Sequence, residues 1–369
     1  MRTLRDTFDP RSNSFDLLRL LFAALVAVAH GIAIRTGSQP QWGDSTLGDF
    51  GLDGFFILSG FLVTRSFLNL GSFPRYAWHR SLRIMPGFWV CLLVVALVVA
   101  PLAALLQGMP VSTPFTGDPS ALRYVLGNAG LLILQYDIAG ILADTPNGAS
   151  FNGSLWTLFF EAFCYVIVAA LGIIGMLHRR PWVVPALAGV LAVLTVLQEA
   201  GLPVLLNERV LRLVFVFLLG AAAHLYAHRI PMRASLAAGA LAVFLVSVAL
   251  FDDYRVLGAA PLAYAFFWFG TCFPWPWSMR ADLSYGVYIY HWPLFQLLVL
   301  TGLAAAPTAV FVPLGLLLTI APAAASWYLV EKPALGRKHS TVPDRITAAL
   351  SRAARRRRVP APAGADAVT

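Results

Sequence analysis

Apolar stretches of about twenty residues recur along the whole chain, at 15–34, 48–68, 83–106, 152–177, 182–200, 209–228, 234–251, 256–273, 284–303 and 308–330. A helix of about 20 apolar residues crosses the roughly 30 Å of hydrocarbon in a bilayer. Backbone polar groups have no water to bond there, so each stretch is expected to close its own hydrogen bonds as a helix. The expected fold class is all-α: a polytopic transmembrane helical bundle of about ten spans. Composition agrees. With 59% hydrophobic and 12% charged residues, and a mean hydropathy of +0.73, a chain of 369 residues lacks the polar surface of a water-soluble domain.

The amino terminus has basic residues ahead of its first apolar run, as a signal peptide does. That run is long, Arg19 and His30 interrupt it, and no convincing small-residue cleavage pattern follows, so a retained first helix is expected. The net charge of +9 is mostly arginine, gathered in short loops between apolar runs. Such a distribution signals topology rather than a groove for nucleic acid, and no nucleic-acid partner is expected. Cys91, Cys164 and Cys272 lie inside apolar runs with no metal-binding spacing and no evident disulfide framework, so they read as packing residues and no metal site is expected.

Positive charge marks the cytoplasmic ends of membrane helices. A cytoplasmic amino terminus puts Arg2, Arg5 and Arg11 inside, with Arg75, Arg80 and Arg83; His178, Arg179 and Arg180; Arg229 and Arg233; and Arg337 and Lys338. Asp44, Asp49, Asp118, Asp137, Asp144, Glu199, Glu208, Asp252 and Asp253 then lie outside, where Arg35, Arg123 and Arg255 are exceptions. The pattern needs an even number of spans, with both termini cytoplasmic. Residues 1–338 form the expected membrane domain, and 339–369 a flexible basic cytoplasmic tail whose run Arg355 to Arg358 suits anionic headgroups. The outer segment 107–151 is expected to be a structured loop, and the stretch Tyr124 to Tyr136 within it is too short to span comfortably.

Charge inside lipid costs at least about 2.5 kcal/mol per group, so each intramembrane polar residue asks for a purpose. Arg19 and His30 are eleven residues apart, about 16 Å of helix rise and only about 20° of rotation, hence on one face. Arg19 alone reads equally well as a snorkelling anchor, and a lone buried histidine is commonly a packing residue. Asp53 sits at the level of His30, where it either caps its helix or orients the imidazole. Arg80 and Arg83 are helical neighbours that suit a phosphate-rich ligand, or simply obey the positive-inside rule. Glu161 falls near mid-membrane and needs a cationic or hydrogen-bonding partner. His291 stands at mid-depth beside Tyr285, Tyr288 and Tyr290, as a polar pore lining would. Glu331-Lys332-Pro333 reads as a terminal ion pair and helix stop.

Taken in order, these motifs resemble the membrane acyltransferase-3 family, bacterial enzymes that O-acylate sugars and other hydroxylated molecules. The resemblance lies in Arg19 with His30, in Asp53-Gly54-Phe55-Phe56 followed by Ser59-Gly60-Phe61, in Arg80-x-x-Arg83-Ile84-x-Pro86, and in Ser154-x-Trp156-Thr157-Leu158-x-x-Glu161. Ser284-Tyr285, Tyr288, His291 and Glu331-x-Pro333 continue it, so that it covers about residues 15–335. It implies an O-acyltransferase of the bacterial plasma membrane, with acyl-coenzyme A, by default acetyl-CoA, as cytoplasmic co-substrate and no permanently bound cofactor. His30, supported by Asp53 or Glu161, is the implied catalytic group. Arg19, Arg80 and Arg83, with Trp156, Tyr288 and His291, are the implied donor-binding residues. The implied partners are membrane lipids and a sugar, polysaccharide, glycolipid or macrolide-like acceptor; a homo-oligomer is open. A proton-coupled secondary transporter is the rival from another class, since Glu161 and His291 suit a proton relay, but no inverted repeat supports it. A non-catalytic scaffold leaves the buried charges without a purpose.

Overall fold

The computed structural model describes residues 2–273 and 281–343. Among them run ten helices of 17 residues or more: α1 Phe15–Thr36, α2 Leu47–Leu70, α3 Phe73–Leu106, α4 Trp156–Ile173, α5 Val183–Glu199, α6 Glu208–Leu225, α7 Ala234–Leu250, α8 Arg255–Cys272, α9 Ser284–Leu300 and α10 Thr308–His339. Five of these, α1 to α4 and α10, are long and apolar enough to cross a membrane. Large apolar side chains such as Leu97, Val193, Leu245, Leu317 and Leu329 stay exposed on outward faces, which lipid accepts and water does not. The chain is a helical membrane protein. The hairpin pairing Gln41–Trp42 with Ser45–Thr46 is the only sheet among the described residues.

Connections alternate between two ends, and each end is knitted by its own contacts. At one end the α1–α2 loop meets the α7–α8 loop through Asp44 N–H to Asp252 O, and Glu199 accepts the N–H groups of Asp252 and Asp253. At the other, Leu4 N–H bonds Ile230 O, Ser14 N–H bonds Gly270 O, and Trp78 Nε1 donates to Arg337 O. Between the ends α1 is held by α2 and α9, while α2 lies along α6. That last contact is a mutual notch. A Cβ on Gly60 would strike the Phe217 carbonyl, and one on Gly220 the Ile57 carbonyl. Small residues on both helices bring the backbones together where no hydrophobic effect drives association.

Two helices carry a single wide turn: Val95–Val99 in α3 and Trp327–Glu331 in α10. In each the closing N–H reaches back five residues, Ala100 to Val95 and Lys332 to Trp327. A proline follows directly in both, Pro101 and Pro333. Proline has no N–H and its ring crowds the carbonyl four residues earlier, and a widened turn accommodates this without ending the helix.

The structure alters several sequence expectations. Helix α10 does not stop at Pro333. Glu331 is buried, accepts from the Ser326 hydroxyl at 2.8 Å, and has no ion pair with Lys332, whose ammonium lies over the Tyr328 ring. Helix α3 begins at Phe73, so His79 and Arg80 lie on helix rather than loop; Pro74 in the first turn starts it. Helix α4 begins at Trp156 and leaves 152–155 as a turn. In the outer segment, the short helix Ala121–Asn128 covers part of the Tyr124–Tyr136 stretch, and the Asn128 side chain ties the chain beyond it by bonds to Leu134 and Gln135. The expected tail lies, beyond residue 343, outside the described residues.

Candidate active site

Helix α1 brings His30 against α9. His30 Nδ1 lies 2.8 Å from His291 Nε2, with the rings stacked at 5.1 Å, and the Trp292 ring closes one edge at 4.8 Å. His291 is buried, and its Nδ1 is 3.0 Å from the Val287 carbonyl, one helical turn back. This network assigns the protons. A carbonyl only accepts, so the proton of neutral His291 sits on Nδ1 and its Nε2 holds a lone pair. His30 Nδ1 must then donate, which leaves the lone pair on His30 Nε2. One imidazole orients the other and makes it a base at a known atom.

Asp53 does not join this pair. Its carboxylate accepts from Arg212 at 3.1 Å and from Arg255 and Tyr254 at 2.5 Å each, fully buried between α2, α6 and α8. Arg212 also pairs with Asp49 at 2.6 Å, and Arg255 with Asp253 at 2.8 Å. Asp53 points away from α1 because α2 turns small residues toward it: a Cβ on Gly51 or Gly54 would strike Phe22 or Val26. A caged carboxylate with two guanidiniums is an architectural cross-link, not an imidazole's partner.

The turn before α4 is anchored to α9 by another proline. Pro293 cannot bond the carbonyl four residues earlier, Ile289. That carbonyl accepts from Asn152 Nδ2 at 2.8 Å and from the Cys91 thiol at 3.3 Å. Ser154 donates to the Tyr288 carbonyl at 3.1 Å, and Thr157 bonds the Tyr288 hydroxyl. Hence Tyr288, three residues before His291 and with ring centres 6.1 Å apart, is fixed in place.

Tyr288 and Thr157 top a narrow throat that also touches Arg19, Ser59, Arg83 and Glu161. Those four residues continue into a wider cavity of about 580 Å³, which opens beside Arg65, Arg80 and Lys338 at the end holding the chain's amino terminus. Arg19 and Arg83 both grip Asp282, at 2.9 and 2.6 Å. Burial opposes ionisation of Asp282, but the guanidiniums of Arg19 and Arg83 outweigh it and hold its carboxyl well below the usual range. Arg80 lies over the Tyr165 ring, reaches Ser66 at 3.4 Å, and keeps a buried Nε without a hydrogen-bond partner. Arg80 and Arg83 therefore face one cavity with different loads: Arg83 is neutralised and Arg80 has donor capacity to spare. Glu161 takes its hydrogen bonds from Tyr165 at 2.5 Å and Ser59 at 3.3 Å rather than from an arginine.

Trp156, expected with the donor-binding group, lines a different cavity. This one holds about 520 Å³ at the opposite end, beside Asp49, Glu208 and Arg212, and Arg209 covers the Trp156 ring at 4.6 Å. The two systems come close. Trp156 borders the outer cavity and Thr157 the throat; Asp49 borders the outer cavity and Leu52, one turn on, the throat.

Arg212, Asp282 and Asn152 carry much of this geometry and are the residues that sequence reading misses. Arg212 had a signal, being a cation four residues into an apolar stretch. Asp282 precedes its helix as any capping acid would, and Asn152 matters only through a proline on another helix.

A family model described as "Acyltransferase domain" matches residues 12–328. Nodulation protein 10 of Rhizobium leguminosarum bv. viciae is 29% identical over 369 aligned positions, covering 91% of this chain and 97% of that protein. An O-acetyl transferase of Shigella phage Sf6 is 28% identical over 158 positions, 42% of this chain and 45% of its own length. No solved structure matches at a significant level. With Arg19, Arg83 and Glu161 lining one throat and this match over most of its length, the chain belongs to the acyltransferase-3 family and is an O-acyltransferase.

Proposed function

We propose that this protein transfers an acetyl group from acetyl-coenzyme A, held at the basic cytoplasmic cavity, to a hydroxyl of a sugar-bearing acceptor reached from the opposite side of a bacterial plasma membrane. The observation that carries this reading is the His30–His291 pair, whose hydrogen bonds leave a lone pair on His30 Nε2. His30 Nε2 takes the acceptor hydroxyl proton as the oxygen attacks the thioester carbonyl. The new O–C bond forms, the C–S bond breaks, and the proton passes on to the departing thiolate. No carboxylate supports the imidazolium in this scheme; His291 Nε2 does, by accepting the Nδ1 proton.

Donor binding follows from the wider cavity. Its volume is of the size that small-molecule sites use, and Arg65, Arg80 and Lys338 around it suit phosphate. The extended arm of coenzyme A enters the throat, where Glu161, Ser59 and Tyr288 give it polar contacts. The arginines gathered at this end of the bundle support a cytoplasmic side for the cavity, as positive charge marks the inner ends of membrane helices.

Release of free coenzyme A from acetyl-coenzyme A by the purified protein in detergent, with and without a cell-envelope fraction, tests the reading. Acceptor-dependent release that His30→Ala abolishes supports it. A folded protein that consumes no acyl thioester under any condition overturns it and favours transport.

A further inference from the structure

The outer cavity has no part in the assignments above, yet its polar groups are unevenly satisfied. Asp49 and Asp253 are each paired with an arginine, and Glu199 accepts two backbone N–H groups. Glu208 and Asp44 stand on the exposed rim. Five carboxylates line the space against three guanidiniums, so its field is negative. One guanidinium points the other way in its needs. Arg255 is only 4% exposed, gives Nε to Asp53 and Nη1 to Asp253, and has a buried Nη2 without a hydrogen-bond partner. A buried donor left unmade is costly, and a ligand oxygen in the cavity would satisfy it.

These demands select a ligand chemistry. Arg255 Nη2 needs an acceptor, while the carboxylates need donors or positive charge. A hydroxyl supplies both roles on one atom, and a polyol does so repeatedly. A carboxylate or phosphate satisfies Arg255 but meets the negative field and cannot donate to Asp or Glu. Trp156 adds an apolar ring at the wall nearest the throat.

We propose that the cavity between α2, α4, α5, α6 and α8 is the acceptor site, and that it takes a neutral or amine-bearing polyol in preference to one carrying carboxylate or phosphate. This rests on the acyl-transfer reading and deepens it by naming the acceptor's charge class.

The test uses the purified full-length protein in detergent, without donor, and three methyl glycosides of one ring: methyl glucoside, methyl glucosaminide and methyl glucuronide. Calorimetric titration is expected to give the first two a dissociation constant at least about tenfold below that of the uronate. The rim variant Asp44→Asn/Glu208→Gln, which disturbs no buried pair, is expected to shrink that gap severalfold by tightening uronate binding. Equal affinity for all three, preference for the uronate, or a gap unchanged in the rim variant overturns the proposal. Absence of glycoside binding while a cell-envelope fraction still drives coenzyme A release overturns it and leaves the acyl-transfer reading standing. The expected selectivity with no thioester consumption overturns the acyl-transfer reading, and the acceptor assignment with it.

Discussion

His30 on α1 and His291 on α9 face each other at 2.8 Å between ring nitrogens, and the second of them is held by a backbone carbonyl of its own helix. A base whose orienting partner is another neutral imidazole depends on that partner's tautomer, and the Val287 carbonyl fixes it.

Replacing His30 with alanine should remove about 10²–10⁴-fold of kcat, the usual contribution of a general base. His291→Ala should lower kcat by about tenfold to a hundredfold with the KM for donor little changed, because His30 remains but loses its orientation. Steady-state rates of coenzyme A release check both. A His291 variant with unchanged kcat would mean that the pair is packing alone.

Arg80→Gln should raise the KM for acetyl-coenzyme A by about tenfold with kcat preserved, as expected when uniform binding to a phosphate is lost. The protein should melt as before, since Arg80 has no ion pair among the described residues. Equal loss with a short acyl-pantetheine donor that lacks the nucleotide would rule out phosphate as the contact.

Asp53→Ala should behave as a folding lesion. Removing the carboxylate leaves Arg212 and Arg255 one carboxylate each and takes the acceptor from Arg255 Nε and the buried Tyr254 hydroxyl, and breaking such buried pairs costs about 3–5 kcal/mol. Thermal unfolding in detergent should show a large drop in melting temperature. Full stability with lost activity would restore Asp53 to the chemistry.

Gly60→Ala should destabilise the α2–α6 contact by about 1–3 kcal/mol, since the new methyl meets the Phe217 backbone, which cannot rotate away. The adjacent Ser59→Ala, on the throat side, should cost much less. Chemical unfolding of the two variants separates them.

Asp282 gives a pH signature. Its pKa is lowered in the fold, so its contribution to stability is present above the unfolded carboxyl value of 3.8 and is lost only as pH falls through the lower folded value. Asp282→Asn should therefore melt below the wild type by a constant margin from pH 8 to about 5, and that margin should shrink below 3.8 and close only as pH falls through the lower folded value. A margin that changes between pH 5 and 8 would point to a different titrating group.

Helix positions were legible in the sequence because twenty apolar residues have few other places to go. His30 and Glu161 stood out for the same reason, as polar groups in lipid, and Arg83 as one of a pair of neighbouring arginines at the inner side. Partners were harder. Asp53 looked like a helper for His30 from depth alone, but depth does not fix rotation, and α2 turns that side chain toward α6. Trp156 and Thr157 are adjacent in sequence and serve different cavities, a division that only packing creates. The wide turn before Pro333 hid the fate of Glu331, since without it the proline reads as a helix stop and Glu331 as a terminal residue beside Lys332.

That wide turn sets the phase of everything after it. A helix advances about 100° per residue, so the one extra residue at Trp327–Glu331 swings the remainder of α10 by roughly that angle. With it, Leu335 and Lys338 border the wider cavity and Glu331 lies buried. Deleting a single residue from the bulge would leave composition, length and hydropathy almost untouched, yet carry Lys338 round toward lipid. For this helix, insertions and deletions are a harsher class of change than substitutions.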